Sequence, residues 1–259
     1  MGPVTHGIFY PNPPFMISPL GDNSMQRSCR SLHHRRGFTL IEMLAVLGIV
    51  AVVVAVAAPA VLGVINSTRI TQAGDEFMGL ISQAQQTALA ESRPVEVRLY
   101  RMSDSSLAGD DSAGQYRGLM FVRYYQAGEP DPRTATGAPL GQPLAIADFG
   151  GIHRLPSGVV MASSENLSSL MSLPESRPTG GNADLVAKQN GEYAVVRLPD
   201  ALSYRSFLCL PEGTDLNTAV PWFVTLLMSN EADAEAAKLK NFYTIQIEPA
   251  TGRIMSYRP

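Results

Sequence analysis

The hydrophobic pattern of the chain changes period twice, and each change marks an element. Residues 43–65 carry no charged or polar side chain over 23 positions. As a helix this run is roughly 35 Å long, enough to cross the roughly 30 Å hydrocarbon layer of a bilayer. Beyond it Ile70, Ala73, Phe77, Leu80, Ile81, Ala84 and Ala88 recur at steps of three and four, which predicts an amphipathic helix ending near Arg93-Pro94. Together the two runs predict one long, interrupted helix of roughly 80 Å. After Pro94 the period shortens towards two. Stretches at 95–100, 119–125, 159–161, 193–198, 222–228, 242–248 and 253–257 are rich in β-branched and aromatic residues and predict strands. The last two flank Pro249-Ala250-Thr251-Gly252, whose glycine suits a positive-φ turn position, so a C-terminal hairpin is expected.

The expected fold class is therefore α+β, a long N-terminal membrane-spanning helix packed on an antiparallel β domain. Its divisions are a segment 1–37, an apolar helix 38–65, its amphipathic continuation 66–93, and a β-rich domain 94–259. Stretches 103–115, 127–144 and 163–191 are polar or rich in Gly, Pro and Ser, and are expected to be long surface loops, either contacting partners or without one.

Charge sharpens this division. The net charge is −3, yet residues 1–37 hold Arg27, Arg30, Arg35 and Arg36 against Asp22, which leaves about −6 on the remainder. A body of that sign has no electrostatic footprint for nucleic-acid phosphates. Arginines before the apolar run, with Asp75 and Glu76 beyond it, place the N-terminus on the cytoplasmic side and the body across the membrane. Glu42 sits where a plain anchor has no use for a charge, because a carboxylate at bilayer depth costs about 2.5 to 3.5 kcal/mol on translocon scales.

The order Arg35, Arg36, Gly37, Phe38, Thr39, Leu40, Ile41, Glu42, followed by a long apolar run, resembles the processing site of type IV prepilins and type II secretion pseudopilins. The resemblance implies that a membrane prepilin peptidase cuts between Gly37 and Phe38 and methylates the new amine of Phe38. The chemistry gives each residue a reason. Glycine lets an extended backbone enter a narrow active site without a side chain in the way. The freed amine must then enter an apolar fibre core, where a carboxylate from a neighbouring subunit can neutralise it, the role the resemblance gives to Glu42. Breaking one side of a buried ion pair costs about 3 to 5 kcal/mol, enough to bias register in a fibre. Read alone, Glu42 is equally a solvated carboxylate at the membrane boundary. Pro59 lacks an amide hydrogen and is expected to kink or loosen the helix, or to be a tolerated membrane proline. Family members often carry a proline there. The order helix, proline, strand, loop, strand, with a Thr-Gly-Arg hairpin at the end, is similar to minor pseudopilins of the H type.

Little else in the chain carries chemistry. Of two cysteines, Cys29 lies in the segment expected to be removed, leaving Cys209, so no internal disulfide is expected. His153 is the one histidine beyond residue 37, too few for a histidine-based metal site. His153 and Cys209 are expected to be a surface histidine and a small core residue rather than a catalytic pair, and Trp222 to be core. Asp104, Asp110 and Asp111 lack the alternating spacing of a calcium loop. The expectation is an assembly protein, not an enzyme, with no metal and no cofactor. The implied partners are a prepilin peptidase, an inner-membrane assembly platform and other pilin-like subunits. Two rivals stay open: a membrane-tethered envelope binding protein that does not polymerise, and a secreted hydrolase whose signal is cleaved near Ala57–Ala60, where small residues are spaced as signal peptidase requires. The mature N-terminus separates them, being Phe38 for the fibre subunit, Ala58 or Val61 for the secreted protein, and an intact leader for the tether. Met25 is an alternative start that would shorten the leader to residues 25–37.

Overall fold

The computed structural model describes residues 38–103, 114–149, 151–176, 185–189, 192–195, 202–232 and 238–259. One helix, α1 (Leu40–Glu91), is followed by β1 (Val95–Arg101), β2 (Tyr116–Tyr125), β3 (Leu144–Ala147), β4 (His153–Arg154), β5 (Val159–Met161), β6 (Glu175–Ser176) and β7 (Leu185–Gln189). Then come β8 (Glu192–Val195), β9 (Tyr204–Leu210), β10 (Gly213–Thr214), β11 (Trp222–Met228), β12 (Tyr243–Ile247) and β13 (Ile254–Tyr257). The chain divides into two compact units, residues 1–51 and 52–259.

In the first unit, α1 begins at Leu40, and every described residue there is exposed to solvent. A helix apolar on all sides has no face to reserve for water, so an apolar surround is what it is built for.

In the second unit α1 becomes one-sided. Ile70, Ala73, Phe77, Ile81, Ala84 and Ala88 are fully buried and Leu80 partly so, as the step of three and four predicts. Each of Ile70, Phe77 and Ile81 contributes roughly 1.5 to 3 kcal/mol by burial. The helix ends at Glu91, where Ser92 takes a positive φ of 50° before Pro94 prevents further helical turns.

That stripe lies on a single sheet with strand order β10-β9-β1-β2-β5-β11-β12-β13. Pairing along this path is antiparallel, while β3 joins β2 and runs parallel to β7. Alternation along β1 sends Val95, Val97 and Leu99 into the core shared with α1, together with Phe207 and Cys209 of β9 and Val224 and Leu226 of β11. The other side of β1 carries Glu96, Arg98 and Tyr100. Tyr100 packs with Met120 and Val122 of β2 and Leu185 and Ala187 of β7 in a second cluster. Arg98 Nε donates to Glu96 at 2.9 Å, the Tyr124 hydroxyl donates to the same carboxylate at 2.6 Å, and the guanidinium lies 4.5 Å over the Tyr204 ring. Burial and the adjacent Glu96 charge push the Tyr124 phenol up, so it stays a donor.

Two glycines let backbones and rings approach closely. Gly74 of α1 faces the Tyr243 ring of β12, where a Cβ would lie 2.6 Å from ring carbons. The Tyr243 hydroxyl donates to Asp75 at 2.9 Å. Gly213 of β10, at φ 148°, leaves room for the Pro249–Gly252 turn, whose Ala250 oxygen would be 2.5 Å from a Cβ at that position. Thr214 N–H donates to Pro249 O at 2.9 Å, and Gln85 of α1 donates to the Gly252 carbonyl. The expected hairpin β12–β13 forms around this turn, with Gly252 at φ 71°.

Some expectations change. β9 falls outside every predicted strand yet pairs with β1 along six residues. Its Arg205, Ser206 and Cys209 dilute the β-branched signal, although Phe207 and Cys209 alternate inward as a half-buried strand requires. Stretch 163–191 is not one loop, because it contains a 3₁₀ turn Ser169–Ser172, β6 and β7. Stretch 127–144 is a loop up to β3, braced by a bridge between Pro130 and Pro139 and by Arg93 donating to Glu129 at 3.0 Å. Of stretch 103–115, residues 104–113 lie outside the described residues.

Cys209 is fully buried, and burial first, with the Asp215 charge second, pushes its thiol up to about 12. Because an unfolded thiol ionises near ~8.5, the stability held below that value is lost as pH climbs towards the folded value, at about 1.4 kcal/mol per pH unit. In the Cys29→Ser chain, we predict no labelling of native Cys209 by a thiol reagent at pH 8 and full labelling in denaturant. The urea midpoint should fall between pH 8 and 10 more steeply than in the same chain carrying Cys209→Ala. Gly74→Ala should destabilise the domain by about 1 to 3 kcal/mol, since an added methyl meets a packed ring. Unchanged urea unfolding of that variant contradicts the docking described.

Candidate functional site

Two of the residues singled out at the N-terminus, Phe38 and Glu42, stand at the start of α1. Phe38 precedes the helix and is exposed. The amide of Glu42 donates to Thr39 Oγ1 at 3.2 Å, and the amide of Met43 donates to the Thr39 carbonyl at 3.2 Å. Thr39 is therefore the N-cap, and Glu42 stands at the third helical position. Threonine followed three residues later by glutamate is the sequence signature of a capping box, a signal available in the chain that the reading of Glu42 as a lone misplaced charge passes over.

This placement has electrostatic consequences. The first turn of a helix carries the positive end of the macrodipole, equivalent to roughly half a charge. A free amine on Phe38 would add a full positive charge beside it. Glu42, the acidic residue of that turn, is positioned to offset both. Among the described residues its carboxylate makes no hydrogen bond or ion pair with another side chain, and Glu42 is exposed. The group is thus presented outward, not consumed by the fold of its own chain.

Pro59 lies within α1, which is assigned as helix across it. Proline has no amide hydrogen, so the carbonyl four residues earlier lacks its usual donor there. Gly37, Arg35 and Arg36 lie outside the described residues.

The remaining candidates do not converge. His153 is on β4 and Cys209 on β9, with β1 and β2 between them in the strand order. His153 is half-buried, 6.3 Å from the Phe121 ring centroid, which corrects the expectation of a surface histidine: β4 pairs with β2 and turns the imidazole toward the core. Trp222 is buried and donates from Nε1 to the Asn217 carbonyl at 2.8 Å. Among the described residues no group of three His, Cys, Asp or Glu side chains is placed to hold a metal ion. Asp104, Asp110 and Asp111 fall outside them.

By length and composition α1 is one helix able to cross a membrane. A single-pass membrane-anchored protein fits that helix. No curated protein and no solved structure matches the chain. Residues 32–58 match the family model of the prokaryotic N-terminal methylation motif, a span that contains Gly37, Phe38 and Glu42, and the chain is thereby prepilin-like or pseudopilin-like at its N-terminus.

Proposed function

We propose that the chain is a pilin-like subunit, cut between Gly37 and Phe38 by a prepilin peptidase, methylated on Phe38, and assembled through α1 into a fibre of type IV pilus or type II secretion character. One observation supports this reading: residues 32–58 match the methylation motif, and the proposed cut lies just ahead of a helix capped by Thr39 whose first turn presents Glu42 without a side-chain partner among the described residues. In a water-poor bundle of helices the Phe38 amine of one subunit and the Glu42 carboxylate of the next neutralise each other, since residues 43–65 offer neither charge a partner. The work of the protein is then assembly, without catalysis of its own. Other pilin-like subunits and an inner-membrane assembly platform are its partners.

Orientation follows from charge. Arg35 and Arg36 hold the leader on the cytoplasmic side while the body, bearing Asp75 and Glu76 after the apolar run, crosses the inner membrane. The helix, proline and strand order with its Thr-Gly-Arg hairpin supports a minor subunit similar to the H type over a major one.

N-terminal sequencing with intact-mass measurement of the membrane-extracted protein should give methylated Phe38, and Gly37→Leu should accumulate as the full-length precursor. A mature protein starting at Ala58 or Val61 would establish the secreted alternative, and an intact leader in the wild type the non-polymerising tether. Glu42→Ala should be cleaved normally and yet be lost from sheared fibres by about tenfold or more, the scale set by an uncompensated buried charge. Wild-type incorporation of that variant removes the pairing role.

A further inference from the structure

We propose that the second unit carries a binding site for a phospholipid head group bearing both a phosphate and a primary ammonium, the phosphatidylethanolamine type, beside the end of the apolar run. The inference rests on the reading of residues 43–65 as membrane-spanning.

A cavity of about 410 Å³ is lined on the helix side by Gly63, Asn66 and Ser67 and on the sheet side by Glu231, Lys240 and Arg258. Pockets of roughly 300 to 1,000 Å³ hold small ligands. Three turns of chain converge on this rim. Glu231 ends the 3₁₀ turn after β11, Lys240 precedes β12, and Arg258 follows β13. On α1 the same rim falls where Ile65 gives way to Asn66, the point at which an apolar helix leaves hydrocarbon and meets the head-group layer.

The side chains supply both signs of charge. Arg258 donates to Ser67 Oγ at 3.4 Å and lies 5.8 Å over the Tyr243 ring, so it is held at the rim with donors to spare. Lys240 is exposed and makes no ion pair among the described residues. Together they suit a phosphodiester, for which cationic donors give charge-assisted hydrogen bonds. Glu231 is the unexplained group: its Oε2 is buried and has no hydrogen-bond partner among the described residues. A carboxylate oxygen shut from water costs free energy until a donor reaches it. A primary ammonium supplies three N–H donors and a positive charge. A quaternary choline has no N–H to give, and a glycerol head group has no charge, so the pair of signs selects ethanolamine.

The test uses the full-length chain reconstituted into vesicles of phosphatidylcholine mixed with equal amounts of either phosphatidylethanolamine or phosphatidylglycerol. Flotation reports insertion by α1 irrespective of head group. Native mass spectrometry after mild detergent extraction then counts the retained lipid. The expected result is flotation in every mixture and retention of phosphatidylethanolamine about tenfold above the other two, the value of one hydrogen bond to a charged group. Glu231→Gln should lower phosphatidylethanolamine to the level of phosphatidylglycerol, and Lys240→Gln, at an exposed position that leaves the fold intact, should lower both. Soluble phosphoethanolamine should compete where inorganic phosphate at the same concentration does not. Failure to float overturns the membrane reading and this site with it. Flotation with equal retention of the three lipids, insensitivity to Glu231→Gln, or equal competition by inorganic phosphate overturns the site alone.

Discussion

A continuous helix that is apolar on every side at one end and on one side only at the other constrains everything else in this molecule. Side chains facing all directions cannot be buried by a sheet, which covers one face, so the first part of α1 requires an apolar surround outside its own chain. The second part needs a single wall, and the sheet provides it through the stripe from Ile70 to Ala88. Within such a helix any charge is conspicuous. Glu42 stands at the capped end, where the helix dipole favours a carboxylate and where cleavage would create the amine that needs one.

Attachment of the sheet to α1 combines apolar area with a few directional contacts. Gly74 lets Tyr243 lie flat on the helix, and the Tyr243–Asp75 hydrogen bond fixes its position along the axis. At the far end Arg123 of β2 makes a two-point contact with Asp148 at 2.5 and 2.6 Å and also pairs with Glu91, joining the last turn of α1 to the sheet. The Arg123–Glu91 contact, where Glu91 is exposed, adds little to stability, whereas the bidentate Arg123–Asp148 pair is largely buried and specifies orientation. The apolar stripe holds the two layers together, and these polar contacts select one register for them.

Much of the fold was legible because its strongest signals are long. A 23-residue uncharged run and a seven-position stripe leave few alternatives, and β11 was readable to the residue from its Trp-to-Met run, apolar except for Thr225. β9 was not, since a strand covered by α1 on one side and bearing Tyr204 and Ser206 on the other mixes residue types that propensity treats as neutral. The two-residue strands β4, β6 and β10 exist only through their neighbours, and no local pattern could announce them. At the candidate site, Phe38 and Glu42 could be read from the motif, and the N-cap role of Thr39 was signalled by the glutamate three residues on, which the hydrogen bond from the Glu42 amide to Thr39 Oγ1 bears out. Glu231, Lys240 and Arg258 are spread over 28 positions of sequence and become neighbours only when three strands end on one rim.

The seam at Gly213 has a consequence for the order of events. The Pro249–Gly252 turn touches β10 and the Gln85 amide at once, and Tyr243 reaches back 168 positions to Asp75. Contacts so distant in sequence carry a loop-closure cost that must be met before they return anything. The helix therefore cannot acquire its full covering until the final hairpin has emerged, whether from a ribosome or from a translocation channel. Until then the helix positions around Gly74, Asp75 and Gln85 lack their cover while Val95, Val97, Phe207 and Val224 can already pack on the rest of the stripe, and the β12–β13 hairpin acts as the latch that completes it.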